Sequence, residues 1–195
     1  MKKIITISRE FGAGGGEIGR KLSERLHYQY YDKEIILQAA AESNLDIYSL
    51  IEWDEKVPIQ FAFSQSLFDF YNRPLSEKIF KAQSSVIRMI GEKGNCIIVG
   101  RNSNSILKEY EHSLHVFVHA RFNWRLERMK ERMKGMSEAK VAEQIKRIDK
   151  TRNSYCTYNT RHKFGCSKYY DLTLNSEKFG IERCVDIICE ALEYV

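Results

Sequence analysis

The stretch from residue 9 to residue 16, REFGAGGG, has the composition of a phosphate-binding loop, and four of its last five positions are glycine. Glycine reaches positive φ without strain and has no Cβ, so successive backbone N–H groups can turn inward around an anion. A helix that begins directly after the loop adds its dipole and its unpaired N–H donors. We therefore predict a phosphate site formed by Gly12, Ala13, Gly14, Gly15, Gly16 and Glu17.

This glycine loop (residues 9–17) departs from the pattern GxxxxGK[ST], in which a lysine reaches the outer phosphates and a hydroxyl binds magnesium. Gly15 stands where the lysine is expected, and Glu17 stands where the hydroxyl is expected. We predict that Arg9 supplies the missing positive charge. Glu17 is then expected to hold magnesium through water, or to pair with Arg9 when the site is empty. A GxGxxG pattern fails at its last position, which disfavours a dinucleotide oxidoreductase.

Apolar strands alternate with helical patterns along the whole chain, which predicts an α/β fold with a parallel sheet flanked by helices. Ligands of such sheets bind at the carboxyl ends of the strands. Asp32, Arg101, Asn102 and Arg121 are therefore expected on the same rim as the glycine loop. Strands are predicted at 3–8, 28–32, 96–99, 114–119 and 170–174, and helices at 17–27, 33–42, 74–92, 121–134, 137–152 and 181–194.

Positive charge is concentrated in one part of the chain. The whole chain carries a net charge of +5, whereas residues 121–168 hold 14 Lys/Arg against 5 Asp/Glu and so carry +9. A basic segment on a mildly acidic body indicates a polyanionic ligand, which fits nucleotide phosphates and also nucleic acid. Arg121, Arg125 and Arg128 are spaced four and three apart, as on one helix face. They form either a phosphate clamp or a solvated stripe.

The length of 195 residues and the ordinary composition predict one globular domain, residues 1–195. No apolar run approaches the roughly 18 residues that a membrane span needs. Five cysteines without a CxxC pair disfavour a disulfide framework and a zinc site, so we expect a cytoplasmic protein. An aromatic-rich segment, residues 44–75, is expected to be an insertion on the acceptor side. It is either a cap over the acceptor or the contact surface of a homodimer.

Six segments of the chain, in order, resemble the cytidylate kinase-like family of P-loop proteins: SREFGAGGGEIGRKLSERL, YYDKEII, IIVGRNSNSIL, HARFNWRLERM, IKRIDKTRNSYCTYNT and YDLTLNS. The most specific pieces are SREFGAGGGEIG and DKTRNSY. The resemblance implies a three-layer P-loop kinase-like fold with a five-stranded parallel sheet. It also implies that residues 9–17 hold the donor phosphates and that residues 121–165 form a helical, basic lid.

The resemblance also assigns roles to single residues. Arg101 and Asn102 match the Gly-Arg-Asp that contacts the acceptor nucleotide, with an amide in place of the acid. Asp32 matches the acid after the second strand. Arg125 and Arg152 match lid cations and are expected to act on the transferring phosphoryl group, together with Arg9, which is chosen from its place at the strand end. The other lid cations expected near the phosphates are Arg121, Arg128, Arg147 and Lys150.

Together these features predict a kinase that transfers the γ-phosphate of ATP, with Mg²⁺, to a small phosphorylated acceptor such as CMP. Loss of the lysine and hydroxyl at Gly15 and Glu17 leaves open a nucleotide-binding pseudokinase without turnover. A protein that binds nucleic acid through the basic segment is the least favoured alternative, and no membrane partner is expected.

Overall fold

A computed structural model describes residues 2–32 and 73–195 of the chain. The predicted helix at 33–42 and nearly all of the predicted insertion at 44–75 lie outside these residues. The strands are β1 Ile4–Arg9, β2 Gln29–Tyr31, β3 Cys96–Val99, β4 Ser113–His119 and β5 Leu172–Asn175. The α-helices of the described residues, numbered in chain order, are α1 Gly15–Leu26, α2 Arg73–Lys93, α3 Ser103–Ile106, α4 Phe122–Arg132, α5 Glu138–Thr160 and α6 Ser176–Leu192, and a 3-10 turn spans Ser167–Tyr169.

The five strands form one parallel sheet in the order β2-β3-β1-β4-β5. The strand β1 is central, and its Ile4 lies opposite Cys96 on one side and Ser113 on the other. All five carboxyl ends therefore lie at one edge, next to the glycine loop that follows β1. The predicted α/β fold with a parallel five-stranded sheet is confirmed.

Helices cover both faces of the sheet, which gives the three predicted layers. Ile5 and Ile7 of β1 pack with Ile18 of α1 and Ile188 of α6. On the other face Ile4 packs in a cluster with Ile87 of α2. Successive side chains of a strand point to opposite faces, so burial of both faces requires an uninterrupted apolar run. Among the described residues, none of the helices combines the length and the apolar character needed to cross a membrane.

The helices α4 and α5 pack on each other through a separate apolar cluster that includes Leu126 and Ile145, and Phe11 of the glycine loop packs against it. Ser137 caps α5 by accepting a hydrogen bond from the Lys140 N–H. The predicted end of this helix near residue 152 is wrong, because α5 continues to Thr160. Its polar second half is anchored to the body of the protein by Cys156, which is 6% exposed. Thr160 satisfies its hydroxyl within the helix by donating to the Cys156 carbonyl.

The last helix also begins earlier than predicted. Asn175 caps α6 with its side-chain oxygen, which accepts from the N–H groups of Glu177 and Lys178. The helix is interrupted at Gly180, whose φ of 77° and ψ of 164° are not helical. The helical periodicity of the sequence predicts only the longer part of α6, which follows this kink, and misses the short first turn.

His115 generates a prediction about stability and pH. Its ring is 8% exposed and lies between the hydroxyls of Thr6 and Ser113, at 2.8 and 3.1 Å. Burial lowers the pKa of His115, and the charge of Asp171 opposes this shift only in part. The unfolded chain therefore binds a proton more readily than the folded protein. The free energy of unfolding should fall as pH drops through about 6.5, by at most about 1.4 kcal/mol per pH unit.

Urea unfolding between pH 5 and 8 measures this effect. His115→Gln should remove the dependence between pH 5 and 7. The matched control is His27→Asn, because His27 is exposed with φ of 55°, a conformation that asparagine tolerates. Equal pH profiles for His115→Gln and the unaltered protein would contradict the assignment.

Candidate phosphate-transfer site

The glycine loop presents a row of backbone donors at the start of α1. Gly12 and Gly14 have φ of 82° and 86°, and the first α1 residue is Gly15. Between positions 12 and 17, the only backbone N–H with a hydrogen-bond partner in the described chain is that of Ala13, which donates to Glu10. The remaining N–H groups lie at a helix N-terminus, where an anion is stabilised. The loop is thus open in the way that a phosphate cradle requires.

The side chain of Arg9 crosses this loop and passes over two glycines. A Cβ at Gly15 would lie 2.7 Å from the Cβ of Arg9, and a Cβ at Gly100 would collide with Nη1 of Arg9. The Arg9 stem therefore lies against Gly15, and its guanidinium lies against Gly100 at the end of β3. This contact gives a physical reason for the glycine at position 15. A lysine there would begin in the volume that Arg9 fills.

Burial disfavours the charged form of the arginines beside the loop. It lowers the pKa of Arg9 to about 10; Tyr30 and Asp32 raise that pKa, whereas the charge of Arg101 lowers it further. Arg152 of α5 donates from Nη1 to the Arg9 carbonyl at 2.8 Å. Burial also lowers the pKa of Arg152 well below its usual range, and the charges of Arg9 and Arg125 add to this. Close, half-buried cations of this kind are stabilised when an anion binds next to them.

Arg125 fixes the position of the glycine loop by hydrogen bonds. It is 6% exposed and donates to the carbonyls of Ala120 and Phe11, at 3.0 and 2.9 Å. Its Nη1 also donates to Oδ2 of Asp149 at 2.6 Å. These bonds orient the Arg125 guanidinium toward protein carbonyls and a carboxylate. The geometry is that of a residue that positions the glycine loop, and it differs from the phosphate clamp that the sequence predicts.

Asp149 was not among the predicted site residues. Its Oδ1 accepts a hydrogen bond from the Phe11 N–H at 2.7 Å, while its Oδ2 accepts one from Arg125. One carboxylate therefore fixes both the glycine loop and helix α4. The available signal was its place in DKTRNSY, one of the two most specific segments of the chain. Lys150, the next residue, was predicted instead, and its side chain is exposed.

Glu17, at the start of α1, is paired with arginines of α4. Its Oε2 accepts from Nη2 of Arg132 at 2.6 Å and from Nη2 of Arg128. Burial pushes the pKa of Glu17 upward, but the hydrogen bonds and charges of Arg132 and Arg128 outweigh it and hold the pKa below its ordinary value. The expected pairing of Glu17 with Arg9 is therefore corrected to a pairing with Arg128 and Arg132.

The same contacts bear on magnesium. A carboxylate that faces two guanidinium groups is a poor ligand for a cation, since its oxygens already accept charged hydrogen bonds. Among residues 2–32 and 73–195, no group of three or more His, Cys, Asp or Glu side chains is placed to hold a metal ion. The described residues do not fit a resident magnesium site, and we assign no catalytic step to one.

The predicted acceptor residues share the rim with Arg9. Asp32 follows β2, and Arg101 and Asn102 follow β3. The charges of both Asp32 and Arg101 influence the pKa of Arg9, which places all three side chains close together. The Arg101 guanidinium lies over the ring of Tyr155, 5.6 Å from its centroid, so α5 covers this side of the rim.

Two predicted lid cations lie elsewhere. Arg121 is the N-cap residue of α4, with an extended backbone, so the helical spacing to Arg125 does not place both on one face. Its exposed side chain pairs with Glu177 of α6 through Nε at 2.9 Å. Arg147 donates to Gln144 within α5 at 2.7 Å. In the described part of the chain neither side chain reaches the glycine loop through a hydrogen bond or an ion pair.

The fold and the glycine loop define the class of P-loop kinase-like proteins. A family model described as the cytidylate kinase-like family matches residues 4–178, and because this covers most of the chain, the chain belongs to that family. No curated protein sequence matches it.

Solved structures agree with this fold. The chain is similar to an uncharacterized protein from Eubacterium ventriosum, with 25% identity, a TM-score of 0.73 and coverage of 98% of this chain and 99% of that one. It is also similar to shikimate kinase from Bacteroides thetaiotaomicron, with 15% identity, a TM-score of 0.56 and 99% coverage of both chains. For shikimate kinase from Acinetobacter baumannii in complex with shikimate, the identity is 12% and the TM-score 0.55, covering 100% of this chain and 94% of that one. At these identities the two kinases show the shared fold alone.

Asp149→Asn tests the loop support. The change removes the charge that faces buried Arg125 and weakens the bond to the Phe11 N–H, so the free energy of unfolding should fall by about 2–3 kcal/mol. Urea denaturation measures it. Asp186→Asn is the matched control, because Asp186 forms a surface pair with Arg25 whose loss should cost much less stability. Equal losses in the two variants would show that Asp149 does not support the loop.

Proposed function

We propose that this protein is an ATP-dependent phosphotransferase that moves the γ-phosphoryl group of ATP to the phosphate of a nucleoside monophosphate such as CMP. The observation that supports it best is the pair of half-buried arginines, Arg9 and Arg152, placed beside an open glycine loop. Membership of a kinase-like family and the P-loop kinase fold point the same way. A cytoplasmic location, where ATP is available, fits this function.

The proposed reaction needs position and positive charge more than covalent chemistry by the protein. The loop N–H groups bind the donor phosphates, and Arg9 takes the part of the absent lysine. An oxygen of the acceptor phosphate attacks the γ-phosphorus while the bond to the bridging oxygen of ADP breaks. Arg9 and Arg152 stabilise the charge that builds up on the phosphoryl and leaving oxygens. The acceptor phosphate is already anionic, so no general base is required.

Acceptor binding is assigned to the rim formed by Asp32, Arg101 and Asn102. Arg101 suits a phosphate because its guanidinium offers a planar pair of donors. Arg125 keeps the loop in place, and closure of the lid excludes water from the transferring group. ATP is expected to arrive with magnesium held by its own phosphate oxygens and by water.

A second candidate is a pseudokinase that binds nucleotide without turnover. Its support is Glu17, an anion at the helix start that is paired with Arg128 and Arg132. A coupled assay with ATP, magnesium and CMP, run beside thermal-shift measurements of binding, separates the two. Turnover identifies the kinase, whereas an ATP-dependent rise in Tm without turnover of any monophosphate identifies the pseudokinase. Shikimate is tested in the same assay as a control acceptor, because it is not a nucleotide.

Arg9→Ala is the sharpest test of the catalytic assignment. We expect kcat to fall by roughly 10²–10³, the usual loss for one electrostatic stabiliser of a transition state. The affinity for ATP should fall less, because the loop N–H donors remain. Steady-state kinetics with parallel ATP titrations provide both values.

The matched control for this variant is Lys93→Ala, because Lys93 is exposed at the far end of α2. It should leave kcat unchanged. Normal turnover by Arg9→Ala would mean that another group supplies the charge at the donor phosphates.

The lid gives a further prediction. Residues 132–165 should be the most mobile part of the protein without ligand, because their cations repel one another until a polyanion arrives. Hydrogen exchange with and without ATP measures this directly. Amides of α5 beyond Arg152 should gain protection on binding, and equal exchange in both states would refute a nucleotide-driven closure.

A further inference from the structure

Within residues 2–32 and 73–195, three buried polar side-chain atoms have no hydrogen-bond partner: Nε2 of Gln83, Nδ2 of Asn102 and Oγ of Ser103. The three residues are 1%, 7% and 0% exposed, respectively. A buried donor without a partner destabilises a folded protein, so such groups are rare unless something else satisfies them. Asn102 is one of the predicted acceptor residues, whereas Gln83 has no predicted role.

Gln83 lies level with the carboxyl ends of the strands, where the predicted acceptor residues are. It belongs to α2, which ends at Lys93 just before β3 begins at Cys96, and α2 packs on both β3 and α3. The four residues of β3 rise about 13 Å, a distance that an antiparallel helix covers in about nine residues. Counting back from Lys93 places Gln83 level with the carboxyl end of β3, where Asn102 and Ser103 follow.

The orientation of the Gln83 side chain is set by the lid helix. The hydroxyl of Tyr155 in α5 donates to Oε1 of Gln83 at 3.0 Å. This bond occupies the carboxamide oxygen, while the buried Nε2 donor has no partner among the described residues. Tyr155 is itself held between the Phe80 ring, edge-on at 6.3 Å, and the Arg101 guanidinium. Gln83 is thus connected to a predicted acceptor residue through one aromatic side chain.

We propose that Gln83 determines acceptor specificity by donating its free Nε2–H to the base of the acceptor nucleotide, with Asn102 as a second donor. This inference rests on the proposed function. The base is favoured over the phosphate because carboxamides are neutral donors that suit the neutral oxygen and ring-nitrogen acceptors of a base. A phosphate is better matched by the guanidinium groups of Arg9 and Arg101.

The bond from Tyr155 gives this contact a second consequence. Because Tyr155 lies on the lid helix, a base that fixes Gln83 also fixes the acceptor of the Tyr155 hydrogen bond. Acceptor recognition and the position of α5 are therefore linked through one carboxamide. Tyr155 acts here as a positioning residue, and Gln83 makes the contact with the base.

The experiment uses Gln83→Met, which preserves the size of the side chain and removes its donor. Isothermal titration with CMP, UMP, AMP and GMP identifies the monophosphates that bind, and ribose 5-phosphate reports on binding without a base. The variant should bind the preferred monophosphate at least about tenfold more weakly. Binding of ribose 5-phosphate and of ATP should stay unchanged.

Two further variants separate recognition from a structural role. Tyr155→Phe should weaken monophosphate binding severalfold, because it releases the carboxamide without deleting it. Ser85→Ala on the same helix is the matched control, since its hydroxyl donates to the Lys81 carbonyl at the surface, and it should have no effect. The Tm of Gln83→Met should be equal to or above that of the unaltered protein, because an unpaired buried donor has been removed.

The outcomes are distinct. Monophosphate binding by Gln83→Met at full affinity, or an equal loss for ribose 5-phosphate, overturns the proposal. ATP binding with no affinity for any monophosphate also overturns it while leaving nucleotide binding at the glycine loop intact. If neither ATP nor a monophosphate binds, the proposed function itself fails.

Discussion

The course of one side chain, that of Arg9, determines how this site is built. It leaves the end of the central strand, lies across Gly15 and reaches Gly100, and neither neighbour can carry a Cβ without a collision. Gly100 also needs its positive φ of 86°. The arginine and the two glycines are thus one unit spread over three parts of the chain. A lysine at position 15 and an arginine at position 9 exclude each other in this geometry.

Acidic residues divide the arginines around the loop into two groups. Arg125 is neutralised by Asp149 and approached by Glu10, and Arg128 and Arg132 share Glu17. These ion pairs hold the glycine loop and helix α4 in fixed positions relative to each other. Arg9 and Arg152 form the other group, in which desolvation and the charges of neighbouring arginines outweigh the nearby acids and lower both pKa values; the neighbour is Arg101 for Arg9, and Arg9 and Arg125 for Arg152. Unfavourable electrostatic free energy therefore remains at Arg9 and Arg152, and a bound polyanion would lower it.

The sequence predicts most of the fold because local signals agree with the tertiary structure. β3 is predicted to the residue, since CIIV is a short apolar run that ends at a glycine. Ser137 is an N-cap recognisable from composition alone. The length of α5 is not predicted, because its second half is polar and is stabilised by burial of Cys156 against the body of the protein, a tertiary contact that the local pattern does not show.

The site is less predictable than the fold, because its pairings join distant segments. Spacing suggests that Arg121 and Arg125 share a face, yet the former is an N-cap residue and only the latter is helical. Asp149 lies in a sequence pattern typical of a solvated helix, and Gln83 lies in one typical of a packed helix. Their importance comes from contacts with Phe11 and Tyr155, more than seventy residues away in each case.

The central place of β1 has a consequence for how the chain is made. Ile4 pairs with Cys96 and with Ser113, so the strand that starts the sheet must wait about a hundred residues for its neighbours. At a synthesis rate of about 5–20 residues per second, this corresponds to roughly 5–20 s of translation with an exposed apolar strand. Such distant pairing also slows refolding, because loop closure precedes any gain from contact. A chaperone that shields extended apolar segments would therefore have its greatest effect on this protein before β4 has left the ribosome.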